Sequence, residues 1–232
     1  MLGETQFVGD TQLVNRAQSI AGRRVYPVAK RALDIGVCLV LLPLALILIA
    51  AISFAIYIDS PGPVIFVQER VGQSGRRFRM FKFRTMRRGA DHSASREFMR
   101  AFVAGRICQD TVGRVVFKPV SHAHVTRIGR VLRRTSLDEL PQVFNVLRGE
   151  MSLIGPRPNV PWEVEAYQDW HKQRLNARPG ITGLAQVRGR SSINFDSIVR
   201  YDIEYIRKQS LKLDLQILWW TIKSVVSRHG AG

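Results

Sequence analysis

The chain has 232 residues, with 35 Lys and Arg against 18 Asp and Glu, and a formal net charge of +17. That length suits one domain, alone or with an appendage, and can bury a sizeable core; the charge favours partners that carry phosphate, on nucleic acid, anionic lipid or a small substrate. Two cysteines argue against a disulfide framework, because Cys38 lies in an apolar run and Cys108 in a basic stretch. Neither has a partner at metal-ligand spacing, and His122 and His124 read as loop residues rather than a zinc site.

Residues 1–24 are polar, show no clear period and end in Arg23-Arg24, which predicts a mobile arm without a signal-peptide core. From Val37 to Ile58 no residue is charged, and fourteen are Leu, Ile, Val or Phe. At roughly −0.3 to −0.6 kcal/mol each on the insertion scale, these sum to the order of −4 to −8 kcal/mol. One helix of this length is roughly 33 Å, enough to cross the hydrocarbon core. Insertion is therefore expected, but crossing is a separate question. Lys30 and Arg31 precede the run, and Arg70, Arg76, Arg77, Arg79, Lys82 and Arg84 follow it. Both flanks thus carry the basic signal of the cytoplasmic side. Pro43, about a third of the way along, removes a helical hydrogen bond and can bend the segment. A helix that enters and leaves on one face satisfies both flanks; the residues permit it without requiring it. Asp59-Ser60-Pro61-Gly62-Pro63 then breaks the segment.

Val64–Met86 reads as a β-hairpin, with β-rich Val64–Val67, a turn at Gln73-Ser74-Gly75 and a second strand from Phe78. On an extended strand Lys82 and Arg84 share one face, and Phe81 and Phe83 the other. That face suits a phosphate; a solvated basic face and an aromatic-basic nucleic-acid surface are the competing readings. A helix is expected over 95–106, and the rest of 87–123 carries no assigned chemistry. Val125 to Arg134 places Val125, Ile128, Val131 and Leu132 on one side and its arginines elsewhere, a basic amphipathic helix.

The stretch TSLDELPQ (135–142) holds adjacent carboxylates, Asp138 and Glu139, at an expected helix start. Ser136 and Glu139 have capping-box spacing, Pro141 must lie in the first turn, and Val143, Val146 and Leu147 supply an apolar face. Asp138 would sit near unpaired backbone N–H groups, with Arg130, Arg133, Arg134, Arg148 and Arg157 close in sequence. Such surroundings keep a carboxylate ionised and can hold phosphate beside it, although a plain capped helix start has the same pattern. A short strand at Met151–Ile154 leads to Arg157 between Pro156 and Pro158, a stiff backbone that loses little entropy on binding an anion. Trp162 to Asn176 reads as one helix whose aromatics pack internally or meet lipid. RPGITGLAQVRGR (178–190) is a glycine-punctuated loop and strand without the P-loop G-K-[ST] element. In the last helix, Leu211 to Val226, the residues Leu211, Leu215, Leu218, Trp219, Ile222 and Val226 form a helical stripe that suits lipid or core equally.

KFRTM (82–86), TSLDELPQ (135–142), MSLIGPRP (151–158) and RPGITGLAQVRGR (178–190), in that order behind a Lys30-Arg31 apolar segment, closely resemble the bacterial sugar transferase family, the monotopic phosphoglycosyl transferases. The resemblance runs from about residue 30 to the C-terminus and reads as the short form, without the four-helix membrane region of longer relatives. It implies an α/β fold, helix-rich with few short strands, in three parts: an arm at 1–29, a re-entrant membrane helix at 30–60 and a cytoplasmic catalytic domain at 61–232. Amphipathic helices would lie on the inner membrane. The implied reaction moves a sugar 1-phosphate from a UDP-sugar to polyprenyl phosphate, usually undecaprenyl phosphate, and releases UMP. It would initiate exopolysaccharide, O-antigen or glycoconjugate synthesis. By this resemblance Asp138 is the nucleophile and Glu139 supports it, with Mg2+ held near both. Arg157 binds phosphate; Lys82, Arg84 and Arg133 are further phosphate candidates, and Arg178 and Gln186 nucleotide candidates. Lys30, Arg31 and Pro43 belong to the membrane segment. The chain departs from relatives at Leu42-Pro43, where some have Ser-Pro, at His124, where many have Asp-Pro, and in a longer 88–123 stretch. Membrane lipid is an expected partner and nucleic acid is not; a homodimer stays open.

Two alternatives belong to other classes. A membrane-attached nucleic-acid-binding protein would show salt-sensitive, sequence-independent binding and no sugar-nucleotide turnover. A lipid-binding scaffold would not need its acidic dyad, so Asp138→Asn would leave it intact.

Overall fold

The computed structural model describes residues 4–87, 93–105, 124–189 and 193–226, with side chains described over 25–87, 96–105, 124–189 and 193–224. The expected helix-rich α/β character holds: long and short helices surround two small two-stranded sheets among the described residues. Cys108, His122 and Arg190 lie outside the described residues, and Cys38 is a buried free thiol.

Helix α1 runs from Glu4 to Asp59 and contains Pro27 and Pro43, so the backbone is helical across the expected boundary at residue 30. From Val25 to Asp59 it is long and apolar enough to cross a membrane, and only 11% of its most apolar window is buried. Leu39, Val40, Ile47, Phe54 and Ile58 are among its exposed side chains. The other side of the helix rests on the rest of the chain. Lys30, Asp34 and Cys38 are buried near the start of the Val25–Asp59 segment, and Ile56 is buried near its end. Cys38 packs with Phe78, Met80, Val143 and Val146, while Ile56 packs with Phe83 and Leu132.

Strands β1 (Ile65–Val71) and β2 (Arg77–Phe83) form the expected antiparallel hairpin about a turn at Gln73–Gly75. Helix α2 covers Ser93–Val103, close to expectation. Helix α3 (Arg127–Thr135) is N-capped by Thr126, whose side chain accepts from the Gly129 amide. A tight 3-10 turn over Leu137–Gln142 leads into α4 (Val143–Arg148). The short β3 (Ser152–Ile154) pairs in parallel with β4 (Gly180–Thr182). A Cβ at Gly180 would overlap the Gly155 amide nitrogen, so this contact requires glycine.

The single helix expected over 162–176 is two pieces, α5 (Pro161–Glu165) and a 3-10 turn at Asp169–Asn176. Between them the Gln168 amide donates to His171 Nδ1, a side-chain acceptor that replaces a helical one. The break turns Tyr167 and His171 inward against Phe102 and Phe195, so these rings pack internally. The 178–190 loop contains a short helix, α6 (Leu184–Arg188), where loop and strand were expected. Helix α7 (Phe195–Arg207) has no counterpart in the sequence reading. Helix α8 keeps the expected limits, Leu211–Val226. Its buried positions are Asp214 and Ile217, whereas Leu215, Trp219 and Ile222 are more than half exposed. Most of its apolar stripe therefore faces away from the core.

Candidate active site

The dyad sits on a turn rather than at a capped helix start. Ser136 ends α3 in the left-handed region at φ 57, and its side chain makes no capping hydrogen bond. The capping box expected from the Ser136/Glu139 spacing is thus absent, because the Glu139 carboxylate is drawn elsewhere. Its Oε1 accepts from Lys82 Nζ at 2.9 Å and from Arg157 Nη2 at 3.1 Å. Those cations come from β2 and from the Pro156–Pro158 turn, and no local pattern competes with two charge-assisted bonds.

Position is fixed from below. Asn145 on α4 is fully buried; its Oδ1 accepts from the Phe81 amide at 3.0 Å and its Nδ2 donates to the Arg79 carbonyl at 2.7 Å. It fills a backbone pairing place along β2 and so locks the dyad turn to the strand carrying Lys82. Arg31 on α1 donates to the Val146 and Leu147 carbonyls at 2.6 and 3.0 Å, capping the C-terminal end of α4. Both contacts span many residues, and neither Asn145 nor Arg31 had a signal for this role beyond its polarity.

The two acids differ electrostatically. Burial works against the charged form of Glu139, but the summed attraction of Arg157 and Lys82 outweighs it and holds the carboxyl at about 2. Burial raises the Asp138 carboxyl above its ordinary range and Glu139 adds to this, while Lys82, Arg157 and Arg133 oppose it without cancelling it. Asp138 is half-buried, and among the described residues no donor forms a hydrogen bond to it. Desolvation also lowers the Lys82 ammonium, and the nearby Arg157 adds to the effect.

Arg70, Lys82, Glu139, Gln142 and Arg157 line one shallow surface depression. Arg70 was read only as a flanking charge. Hairpin register puts it on the face of Lys82, since Arg70 pairs with Phe78 and Lys82 with Phe66. Its Nη1 donates to the Pro158 carbonyl at 3.0 Å, and its Nε is buried without a partner among the described residues. Burial and the adjacent Arg157 lower its guanidinium to about 10.

The other candidates divide. Arg133 donates through Nε to Thr85 Oγ1 at 3.0 Å and feels the Asp138 charge, so it borders the site. Arg84 is turned away, with Nη2 on the Ser60 carbonyl beyond the end of α1; the strand ends at Phe83, so the expected shared face with Lys82 does not continue. Gln186 donates to the Ile181 carbonyl at 3.1 Å, and its Oε1 is buried and unpartnered. Arg178 is half-buried, with no side-chain bond to the dyad. Lys30 is buried against Asp214 at 3.0 Å, so its charge and that of Arg31 are turned into the protein. Pro43 is exposed on α1.

No group of three or more His, Cys, Asp or Glu side chains is gathered among the described residues. The dyad offers oxygen donors only, and one of its carboxylates is uncommitted. That sparse set fits Mg2+, which keeps water and substrate phosphates as its remaining ligands, and does not fit zinc.

Residues 25–228 match the family model described as bacterial sugar transferase. The chain belongs to the bacterial sugar transferase family. It is 38% identical to an undecaprenyl-phosphate galactose phosphotransferase of Salmonella typhimurium, over 93% of this chain and 44% of that one. It is 39% identical to an undecaprenyl-phosphate glucose phosphotransferase of Komagataeibacter xylinus, over 87% and 36%. It is 38% identical to the exopolysaccharide production protein ExoY of Rhizobium meliloti, over 91% of each chain. The chain thus spans less than half of the two larger sugar transferases and nearly all of the third. The matched region contains the dyad, Lys82 and Arg157 together.

Proposed function

We propose that the protein transfers a sugar 1-phosphate from a UDP-sugar to polyprenyl phosphate, with Asp138 as the nucleophile. The observation that carries this reading is the division of labour in the dyad. Glu139 is bound by two cations, whereas Asp138 lies among the same cations with no hydrogen bond to it from the described residues. An Asp138 oxygen attacks the sugar-bearing phosphorus of the donor. The bond from that phosphorus to the bridging oxygen breaks, and UMP leaves with the oxygen and its electron pair. An oxygen of polyprenyl phosphate then attacks the same phosphorus, and the Asp138 carboxylate leaves, giving polyprenyl diphosphate sugar. Arg157 and Lys82 steady the negative charge of the diphosphate, and Arg70 extends that positive lining. Bound Mg2+, held by Asp138 and Glu139, would neutralise further diphosphate charge.

Substrate names among the relatives support this reaction class and leave the sugar open, since they specify both galactose and glucose. The test is UMP release by purified protein in detergent or nanodiscs, with Mg2+, undecaprenyl phosphate and a panel of UDP-sugars. Release with one donor and its loss in Asp138→Asn supports the reading; no release from folded protein with any donor overturns it.

The membrane arrangement we infer is monotopic, with α1 entering and leaving on the cytoplasmic face. Its support is that both ends of the apolar segment contact the same body. Near the start, Lys30 meets Asp214; at the end, Asp59 Oδ2 accepts from the Ile128 amide at 3.1 Å. The outward stripe of α8, with Leu215, Trp219 and Ile222, gives a second surface suited to the lipid interface. Single cysteines at positions 25 and 60, probed with an impermeant maleimide in intact spheroplasts and inverted vesicles, test this. Labelling of both only in inverted vesicles supports it, and labelling from opposite sides overturns it.

A further inference from the structure

The Pro156–Asn159 turn has an unusual hydrogen-bond problem. Its two prolines have no N–H, so the turn contributes few donors of its own. Its four carbonyls are nevertheless all satisfied, each from a different place. Pro156 O accepts from the Gly180 amide at 3.0 Å, and Asn159 O from the Val71 amide at 2.9 Å. Pro158 O accepts from Arg70 Nη1 at 3.0 Å, and Arg157 O accepts from Arg174 Nη2 at 3.0 Å.

Arg174 is the most deeply engaged of these donors. Its side chain is 3% exposed and lies 2.6 Å from Asp202 Oδ2, an ion pair that lacks hydrogen-bond alignment at that oxygen. Its Nη1 donates to Asn159 Oδ1 at 2.6 Å and to the Tyr167 hydroxyl at 2.8 Å. The guanidinium carbon also stands 5.9 Å from the Tyr167 ring centroid and 5.7 Å from that of Phe195. One planar fork therefore holds the carbonyl of Arg157 and the side chain two residues later. A lysine point charge cannot reproduce this geometry.

We propose that Arg174, with Asp202 as its counterion, is a positioning residue that sets the backbone from which Arg157 reaches Glu139 and the substrate phosphate. This rests on the reading of Arg157 as a phosphate-binding cation. The Arg157 side chain is 49% exposed and has one carboxylate partner, so its own contacts do little to fix it. Its placement comes from the stiff turn beneath it, and that turn is pinned by Arg174 at the Arg157 carbonyl and by Arg70 at the next one.

The test compares Arg174→Lys, Arg157→Gln and the double variant in the full-length protein. Two readouts are used: steady-state UMP release and hydrogen exchange at the Val71 and Gly180 amides. For Arg174→Lys the expectation is a kcat lower by roughly 10- to 100-fold with a smaller change in KM, and faster exchange at both amides. The double variant should be no more than about threefold slower than Arg157→Gln alone, because both changes act through one side chain. Multiplicative losses overturn the proposal, since they assign Arg174 a general structural role. Unchanged exchange and kcat within about twofold of the parent also overturn it. If the parent releases no UMP with any donor, the proposed reaction falls, and the exchange data still decide whether Arg174 holds the turn. Should Arg174→Lys fail to fold, Asn159→Ala takes its place. It removes the acceptor that aligns the fork and leaves the Asp202 pair whole, and unchanged exchange in it overturns the proposal.

Discussion

Asp214 and Asp138 are both carboxylates set among cations, and the fold treats them in opposite ways. Asp214 on α8 has a fully buried side chain. Its Oδ2 accepts from Lys30 Nζ at 3.0 Å and from the Tyr26 hydroxyl at 2.9 Å, and its Oδ1 accepts from the Tyr205 hydroxyl at 2.8 Å. Asp138 is half-buried beside Lys82, Arg157 and Arg133 and takes a hydrogen bond from none of the described residues. The first cluster is complete and ties the two ends of the chain together. The second is assembled by the protein and left for something else to complete. Buried polar networks hold a structure when every member is satisfied, and in the proposed reaction the acid kept among cations without a bond is the one that meets the donor phosphorus.

Substitutions should separate the two clusters. Asp138→Asn is expected to lower UMP release on the order of a thousandfold or more while leaving the melting temperature no lower than that of the parent. A large loss of stability in this variant would merge the two clusters into one kind. Asp214→Leu should do the reverse, costing on the order of 3–5 kcal/mol in denaturant unfolding because Lys30 is left buried and unpaired. Adding Lys30→Met should recover much of that loss, and the folded fraction of either variant should keep kcat within a few-fold. Arg157→Gln comes next, with UMP release lower by roughly 100-fold. The weakest effect is on pH. In the proposed reaction Asp138 must be ionised to attack, and its carboxyl is raised, so activity should fall with acid at a pH above the usual aspartate range. Lys82→Met should move that limb higher, because Lys82 lowers the Asp138 pKa.

The same pair has opposite linkage to stability. Glu139 is depressed to about 2 in the folded state, so its stabilising contribution is complete above the ordinary glutamate range and lost as pH falls toward 2. Asp138 is raised, so folding favours its protonated form and its unfavourable contribution fades as pH falls through the raised value. Stability curves for Glu139→Gln and Asp138→Asn between pH 2 and 7 should therefore diverge from the parent in opposite directions.

Much of the site was legible because its parts are locally encoded. The hairpin follows from a β-rich run and a glycine turn, which place Lys82 on a strand. Pro156 and Pro158 announce a rigid turn at Arg157. Lys82, Glu139 and Arg157 were all candidates, and the structure brings them together within 3.1 Å contacts. Arg84 was misplaced because the strand ends one residue before it, at a tertiary contact with Ser60. The capping box failed because a carboxylate with two distant cations in reach no longer serves a local amide.

By itself the sequence determined the apolar segment, the hairpin, the limits of the last helix and the composition of the dyad. Each depends on periodicity or on Pro and Gly breakers within a few residues. Only the tertiary structure decided which carboxylate is engaged, which cations are buried, and that the apolar stripe of α8 faces outward while Asp214 faces in. Lys30 meets a partner 184 residues away, and Arg174 holds a carbonyl 17 residues behind it. The physical reason is desolvation: a charged side chain is tolerated inside only where a partner waits, and partners so far apart in the chain meet only through the packing of the whole fold.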